Sequence, residues 1–213
     1  MSNRNAIFLL IALLIVVIST SLLVKLNNKK ADYSPPTFVS DSGNHNLKIQ
    51  EADAIYATGK FQEALKIYEQ ILVSYPKNFP LLHKIGKINL QLGNYSKAED
   101  VYTRLCKRAP DNEIFQSSLS LSLLELEKYD KALIHANKAI KLVSKDGLPF
   151  LVKAAVKASQ NKADEALETF TRIQPTAFLV GFLATKHFDP IRKNPKFAAF
   201  EKAVNEQFPR PKK

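Results

Sequence analysis

The sequence predicts an all-α chain: a solenoid of helical hairpins, closed by a C-terminal capping helix and preceded by one membrane-spanning helix. Three observations carry this expectation. Ala64, Ala98, Ala132 and Ala166 stand 34 residues apart. Aromatic, glycine and proline positions keep the same interval: Phe61, Tyr95 and Tyr129, then Tyr68 and Tyr102, then Gly59 and Gly93, then Pro76 and Pro110. Residues 6–24 (AIFLLIALLIVVISTSLLV) form a run without a charge. With 46% apolar and 24% charged residues over 213 positions, the remainder has the makings of a real core.

The elements follow in chain order. Residues 1–5 are a short tail carrying Arg4. Residues 6–24 are the expected transmembrane helix. At ~1.5 Å per residue they just cross a hydrocarbon layer of ~30 Å, and Ser19, Thr20 and Ser21 can return their hydroxyls to helix carbonyls. Ser19-Thr20-Ser21 is a weak small-x-small cleavage pattern, but the apolar run continues past it through Leu22, Leu23 and Val24, so an uncleaved anchor is expected. Lys25, Lys29 and Lys30 follow the run and, counted against Arg4, would hold the C-terminal part in the cytoplasm. Short N-terminal tails nevertheless tend to stay inside while long domains translocate regardless of charge. The expectation is a single-pass protein of a bacterial inner membrane with its domain exported. Residues 25–44 read as a flexible linker, with two prolines and three serines in ADYSPPTFVSDSGN.

From residue 45 the 34-residue units begin: 45–78, 79–112, 113–146 and a degenerate 147–180. Their second halves align as GKFQEALKIYEQIL, GNYSKAEDVYTRLC, EKYDKALIHANKAI and NKADEALETFTRIQ. Each unit reads as two helices. In the second, Leu82, Ile85, Ile88 and Leu92 recur at helical spacing, Gly93-Asn94 breaks the helix, and Val101, Tyr102 and Leu105 resume it before Pro110. Gly86 and the four alanines mark places where two helix backbones approach closely. One hairpin cannot bury its own apolar face, so stacked neighbours share a continuous core.

These features resemble the tetratricopeptide repeat (TPR) family, a 34-residue helix-turn-helix with a small residue midway along its first helix, a Gly-x-aromatic-x-x-Ala turn and a closing proline. The second unit carries the whole pattern in Leu82, Ile85, Gly86, Gly93, Tyr95, Ala98, Tyr102 and Pro110. The first has Lys48 and Glu51 where a large apolar residue belongs, and the third has Ser144 in place of the proline. The fourth has Ala163 for the aromatic and Phe178 for the proline, so it is expected to end the array. Residues 181–213 are the capping segment and basic tail. FDPIRKNPKFAAFEKAVNEQF resembles a segment that closes bacterial TPR arrays. Asn194 is a suitable N-cap before Pro195, and Phe197, Phe200, Val204 and Phe208 form one stripe.

Catalytic chemistry has little to stand on. His45, His83, His135 and His187 are dozens of residues apart, and no HExxH, Cys-x-x-Cys or phosphate-loop spacing occurs. Cys106 falls beside Leu105 on a core helix and reads as a structural thiol. No enzyme activity, metal or cofactor is expected, and the single cysteine excludes an internal disulfide.

The family resemblance implies that the first helix of each unit lines an inner groove. The residues so placed are Ile49, Asp53, Tyr56, His83, Lys87, Leu90, Ile114, Ser117, Leu121, Leu124, Glu125 and Leu151. The set is largely apolar with a few charges, which suits a peptide or amphipathic helix of a protein partner. One TPR subclass grips a chaperone's terminal carboxylate with Lys, Asn and Arg side chains. Ile49, Asp53, Lys84, Ile114 and Ser118 stand there instead, so that clamp is absent. The expected function is thus a membrane-anchored scaffold. Self-assembly into a homo-oligomer is the alternative, and a lipid or small-molecule sensor the weakest. The 31 Lys and Arg against 20 Asp and Glu are mostly scattered, but the tail from Arg192 to Lys213 is dense enough to touch anionic lipid. No nucleic-acid motif accompanies it.

Overall fold

A computed structural model describes residues 42–142, 147–173 and 177–209. The expected tail, the transmembrane run 6–24 and the linker up to residue 41 lie outside the described residues. Among the described residues no helix is long and apolar enough to cross a membrane.

The described chain is helical throughout. Four antiparallel hairpins follow in order: α1 (Ser42–Ala57) with α2 (Phe61–Ser74), α3 (Phe79–Gln91) with α4 (Tyr95–Arg108), α5 (Glu113–Glu125) with α6 (Tyr129–Lys141), and α7 (Leu148–Ser159) with α8 (Ala163–Phe170). Each helix packs on the next in sequence, and α5 also packs on α7, so the hairpins stack into one continuous core. A short α9 (Ala177–Leu183), a 3-10 turn (Lys186–Ile191) and α10 (Pro195–Gln207) complete the fold. Helix α1 opens at Ser42, within the stretch read as linker.

The repeat is written into the backbone at the turns. Gly59, Gly93, Glu127 and Asn161, each 34 residues from the last, all have positive φ, between 58° and 82°. Glycine reaches this region freely, whereas Glu127 and Asn161 are held there by their hairpins. Helix starts are fixed as locally: the Asn78 side chain accepts from the Leu81 N–H, and Asn112 accepts from the Phe115 N–H one unit later. At the crossings, Ala64, Ala98, Ala132 and Ala166 are fully buried. Gly86 lies under Tyr102 and Val101, with room for no more than hydrogen.

Helix α5 is covered from both sides, and its serines are buried with it. Ser120 and Ser122 return their hydroxyls to the carbonyls of Ser117 and Ser118, at 2.7 and 2.9 Å, so they need no outside partner.

The C-terminal end is closed by aromatic packing around one arginine. Phe188 stacks on Phe197 at 5.6 Å, and Phe170 stacks on Phe200 at 4.9 Å. Arg192 donates to Asp189, to Glu201 at 2.6 Å, and to the carbonyls of Leu183 and Thr185. It thereby ties the 3-10 turn to α9 and α10. Asn194 caps α10 by accepting from the Lys196 and Phe197 N–H groups. The fourth hairpin is reduced, since α8 has 8 residues where α2 and α4 have 14. Phe178 is 61% exposed and contributes little to the seal.

Candidate concave binding face

The 34-residue unit sets most of the expected groove residues in rungs. Ile49, His83, Ser117 and Leu151 make one rung; Asp53, Lys87 and Leu121 a second; Tyr56, Leu90 and Leu124 a third, and Ala155 and Ala158 occupy the next positions of the last two. The rungs divide along the array. Over α1 and α3 every expected residue keeps an exposed edge: Ile49, Asp53, Tyr56, His83 and Leu90 are half-buried and Lys87 is exposed. On α5, Ile114 is 55% exposed, and Leu121 and Glu125 are half-buried.

Three residues do not line an open surface. Ser117, Leu124 and Leu151 are 1%, 0% and 3% exposed and belong to the core. Ser117 and Leu124 lie on α5, which α4, α6 and α7 enclose, and α7, which carries Leu151, is covered by the end of the chain. The 3-10 turn packs on α7, where Ala155 and Ala158 are also fully buried. The Ser159 hydroxyl donates to the His187 carbonyl at 3.3 Å, His187 Nε2 lies 3.4 Å from Glu125 Oε1, and Lys186 pairs with Glu127 at 2.5 Å. The inner face of the fourth unit is therefore occupied by the protein's own cap, and the open part runs over α1, α3 and α5.

Two charged features shape this open part. Tyr68 OH and Lys84 Nζ both donate to Asp53 Oδ1. Burial works to raise the Asp53 pKa, but the hydrogen bonds from Lys84 and Tyr68 and the Lys84 charge outweigh it and hold the carboxyl below its usual range. Asp53 is thus spoken for. Lys87, one unit further on, stands 5.9 Å from the Tyr56 ring centroid as a cation over an aromatic face. Among the described residues it has no acidic partner.

Beneath Lys87 lies an aromatic floor. The His83 ring is 5.9 Å from that of Tyr102 and 5.2 Å from that of Phe115. Burial, helped by the Lys87 charge, lowers the His83 pKa, and burial pushes Tyr102 up to about 12. Both groups are therefore neutral near pH 7. Sequence reasoning took Tyr102 for a packing aromatic and Lys84 only for a missing clamp residue. Their polar atoms come into the site from a neighbouring helix and a neighbouring unit, and no local spacing signals that.

Among the described residues no other constellation suggests chemistry. Among the described residues no group of three His, Cys, Asp or Glu side chains is arranged to hold a metal ion. Burial raises the Cys106 thiol to about 11, which keeps it protonated and poorly nucleophilic.

Comparison with known proteins agrees with this geometry. Residues 56–121 match the tetratricopeptide repeat family. Tetratricopeptide repeat protein 21B of Mus musculus is 35% identical over 99 residues, covering 46% of this chain and 7% of that protein. This chain thus spans only a small part of the curated relative's length. Among solved structures, a tetratricopeptide repeat protein from Parabacteroides merdae ATCC 43184 aligns with a TM-score of 0.66 at 20% identity, covering 81% of this chain and 68% of that one. MamA from Desulfovibrio magneticus RS-1 aligns with a TM-score of 0.57 at 20% identity, over 60% of this chain and 72% of that one. At such identity the likeness shows the fold. The family match is confined to residues 56–121, and the solved structures extend the likeness in fold to most of the chain.

Proposed function

We propose that this TPR-type protein is a scaffold that captures a segment of a partner protein on the inner face of α1, α3 and α5, and takes no part in bond chemistry. The observation that carries the reading is the division of the rungs. A face that is apolar, charged at chosen points and open over three units, yet sealed at the fourth, is a bounded surface for an extended or helical segment. Charge reversal at Lys87 combined with Leu121→Asp tests it, because both side chains reach the surface. The double variant is expected to keep wild-type helicity and melting while losing partner capture in a pull-down. Equal yields from the two proteins would overturn the groove assignment.

Residues 6–24 complete the proposal as a membrane anchor, resting on the length of the charge-free run. Anchoring in a bacterial inner membrane, with the domain exported, would confine the encounter to two dimensions and raise effective concentration. Protease protection in intact and selectively permeabilised cells tests the side. Cleavage of the domain after the outer envelope alone is breached supports export, and cleavage only after the inner membrane is opened refutes it. A second reading, self-association, is favoured by Leu47 and Val73, which are 65% and 83% exposed on the first hairpin. A monomer in sedimentation at tens of micromolar would exclude it.

A further inference from the structure

The first unit bears a stacking surface with no hairpin before it among the described residues. Leu47, Gln50 and Ala54 stand at i, i+3 and i+7 on α1 and so share one side of the helix. In the units that follow, the same positions face the preceding hairpin. Phe115, two units on from Leu47, packs its ring 5.2 Å from that of His83 in the second unit. Lys84, one unit on from Gln50, donates to Asp53 of the first. The later counterparts of Leu47 (Leu81, Phe115 and Pro149) and of Ala54 (Ile88, Ser122 and Val156) are all buried. On α1 itself Leu47 is 65% exposed, and Gln50 and Ala54 are exposed with it. A solenoid ordinarily protects its terminal units with a polar outer face. Here the C-terminal end has its cap, while α1 shows a leucine and an alanine at stacking positions.

The two ends and their charge point to a second copy of this chain as the occupant. The C-terminal end of another copy cannot supply the hairpin that α1 lacks, because stacked phenylalanines and Arg192 close it. Two copies therefore meet through the end that both leave open, which makes the contact the same patch on each and the symmetry two-fold. The patch complements itself. Running antiparallel across the axis, it sets Leu47 of each copy against the small Ala54 of the other. It also brings the two Gln50 amides together, each of them both donor and acceptor. Charge permits the approach: the chain carries +11 in all, yet residues 42–74 hold Lys48, Lys60 and Lys66 against Glu51, Asp53, Glu63 and Glu69. Two first hairpins thus come together without the repulsion that the strongly basic remainder would impose.

We propose that two copies stack head to head, α1 on α1, through Leu47, Gln50 and Ala54. This rests on the self-association reading given above and names its surface. By helical register Ile49, Asp53 and Tyr56 lie on another side of α1, so the dimer leaves the inner face of each copy open and carries two such faces at once.

The test uses the full-length protein in detergent, with Cys106 left in place because it is buried. Gln50→Cys puts a thiol beside the two-fold axis, and Lys202→Cys puts one on the exposed side of α10 as the control. Mild copper-catalysed oxidation is expected to give a disulfide-linked dimer from Gln50→Cys at a yield severalfold above that from Lys202→Cys. Adding Leu47→Asp should abolish that dimer and, without any engineered cysteine, turn a sedimenting dimer into a monomer while melting holds. A wild-type dimer in which Gln50→Cys cross-links no better than Lys202→Cys, or which survives Leu47→Asp, overturns the assignment of this surface and leaves self-association standing. A wild-type monomer at tens of micromolar overturns both.

Discussion

Gly86 offers the sharpest test of the packing. It lies in the middle of α3, where alanine is the better helix former by about 1 kcal/mol. A Cβ at this position would stand 2.9 Å from Tyr102 Cζ, 2.9 Å from Val101 Cγ1 and 3.0 Å from Tyr102 Cε2. Neither neighbour can retreat easily. Tyr102 is fully buried against His83 and Phe115, and Val101 is 8% exposed. Overpacking costs about 1–3 kcal/mol, and three contacts against buried neighbours put this site in the upper part of that range, about 2–3 kcal/mol, so Gly86→Ala should lose about 1–2 kcal/mol net of the propensity gain. For a folded region of this size that lowers the melting temperature by about 3–6 °C. Gly181 supplies the control: it is also helical, but nothing lies within 4 Å of where its Cβ would be. Gly181→Ala should be stabilising by up to about 1 kcal/mol. Thermal and urea melts followed at 222 nm would report both. If the two substitutions shift the midpoint in the same direction, or Gly86→Ala matches wild type, the close approach of α3 and α4 is not what excludes a side chain there.

Two further expectations concern pH. Asp53 has a pKa below its ordinary 3.8, so its contribution to stability is present above that pH and lost as the pH falls through the lower folded value. Asp53→Asn should flatten the acid side of the stability profile below about pH 4, and an unchanged acid slope would refute the pairing with Lys84 and Tyr68. His135 donates through Nδ1 to Gln116 Oε1 at 2.7 Å, and Gln116 in turn donates to the Pro110 carbonyl at 2.6 Å. Burial first, then Lys138, lowers the His135 pKa from 6.5, so the fold favours neutral imidazole and loses stability as the pH falls below that value. His135→Gln should reduce the loss between about pH 7 and pH 5; an identical loss in the variant would place the titrating group elsewhere.

The hairpin array was legible because its constraints are local and recur. Close crossings demand Gly86 or an alanine, and the turns between helices favour Gly59 and Gly93, so the units repeat the same chemistry at the same interval. The asparagine cap of α10 was readable for the same reason. What escaped was long-range. Nothing in the neighbourhood of Leu151 announces that residues 186–191 will return to pack on its helix, because that contact has no period. The Asp53, Lys84 and Tyr68 cluster likewise joins three helices whose separation appears only after stacking. The expected inner-face residues were named from the family resemblance, and that expectation loses its footing where the repeat itself ends.

The cap gives the array a direction. Because the inner face is filled at α7 and open at α3, the segment proposed above would meet a wall at one end and none among the described residues at the other. On that reading its register would be set by where it stops, at the turn around His187, as much as by which side chains it meets.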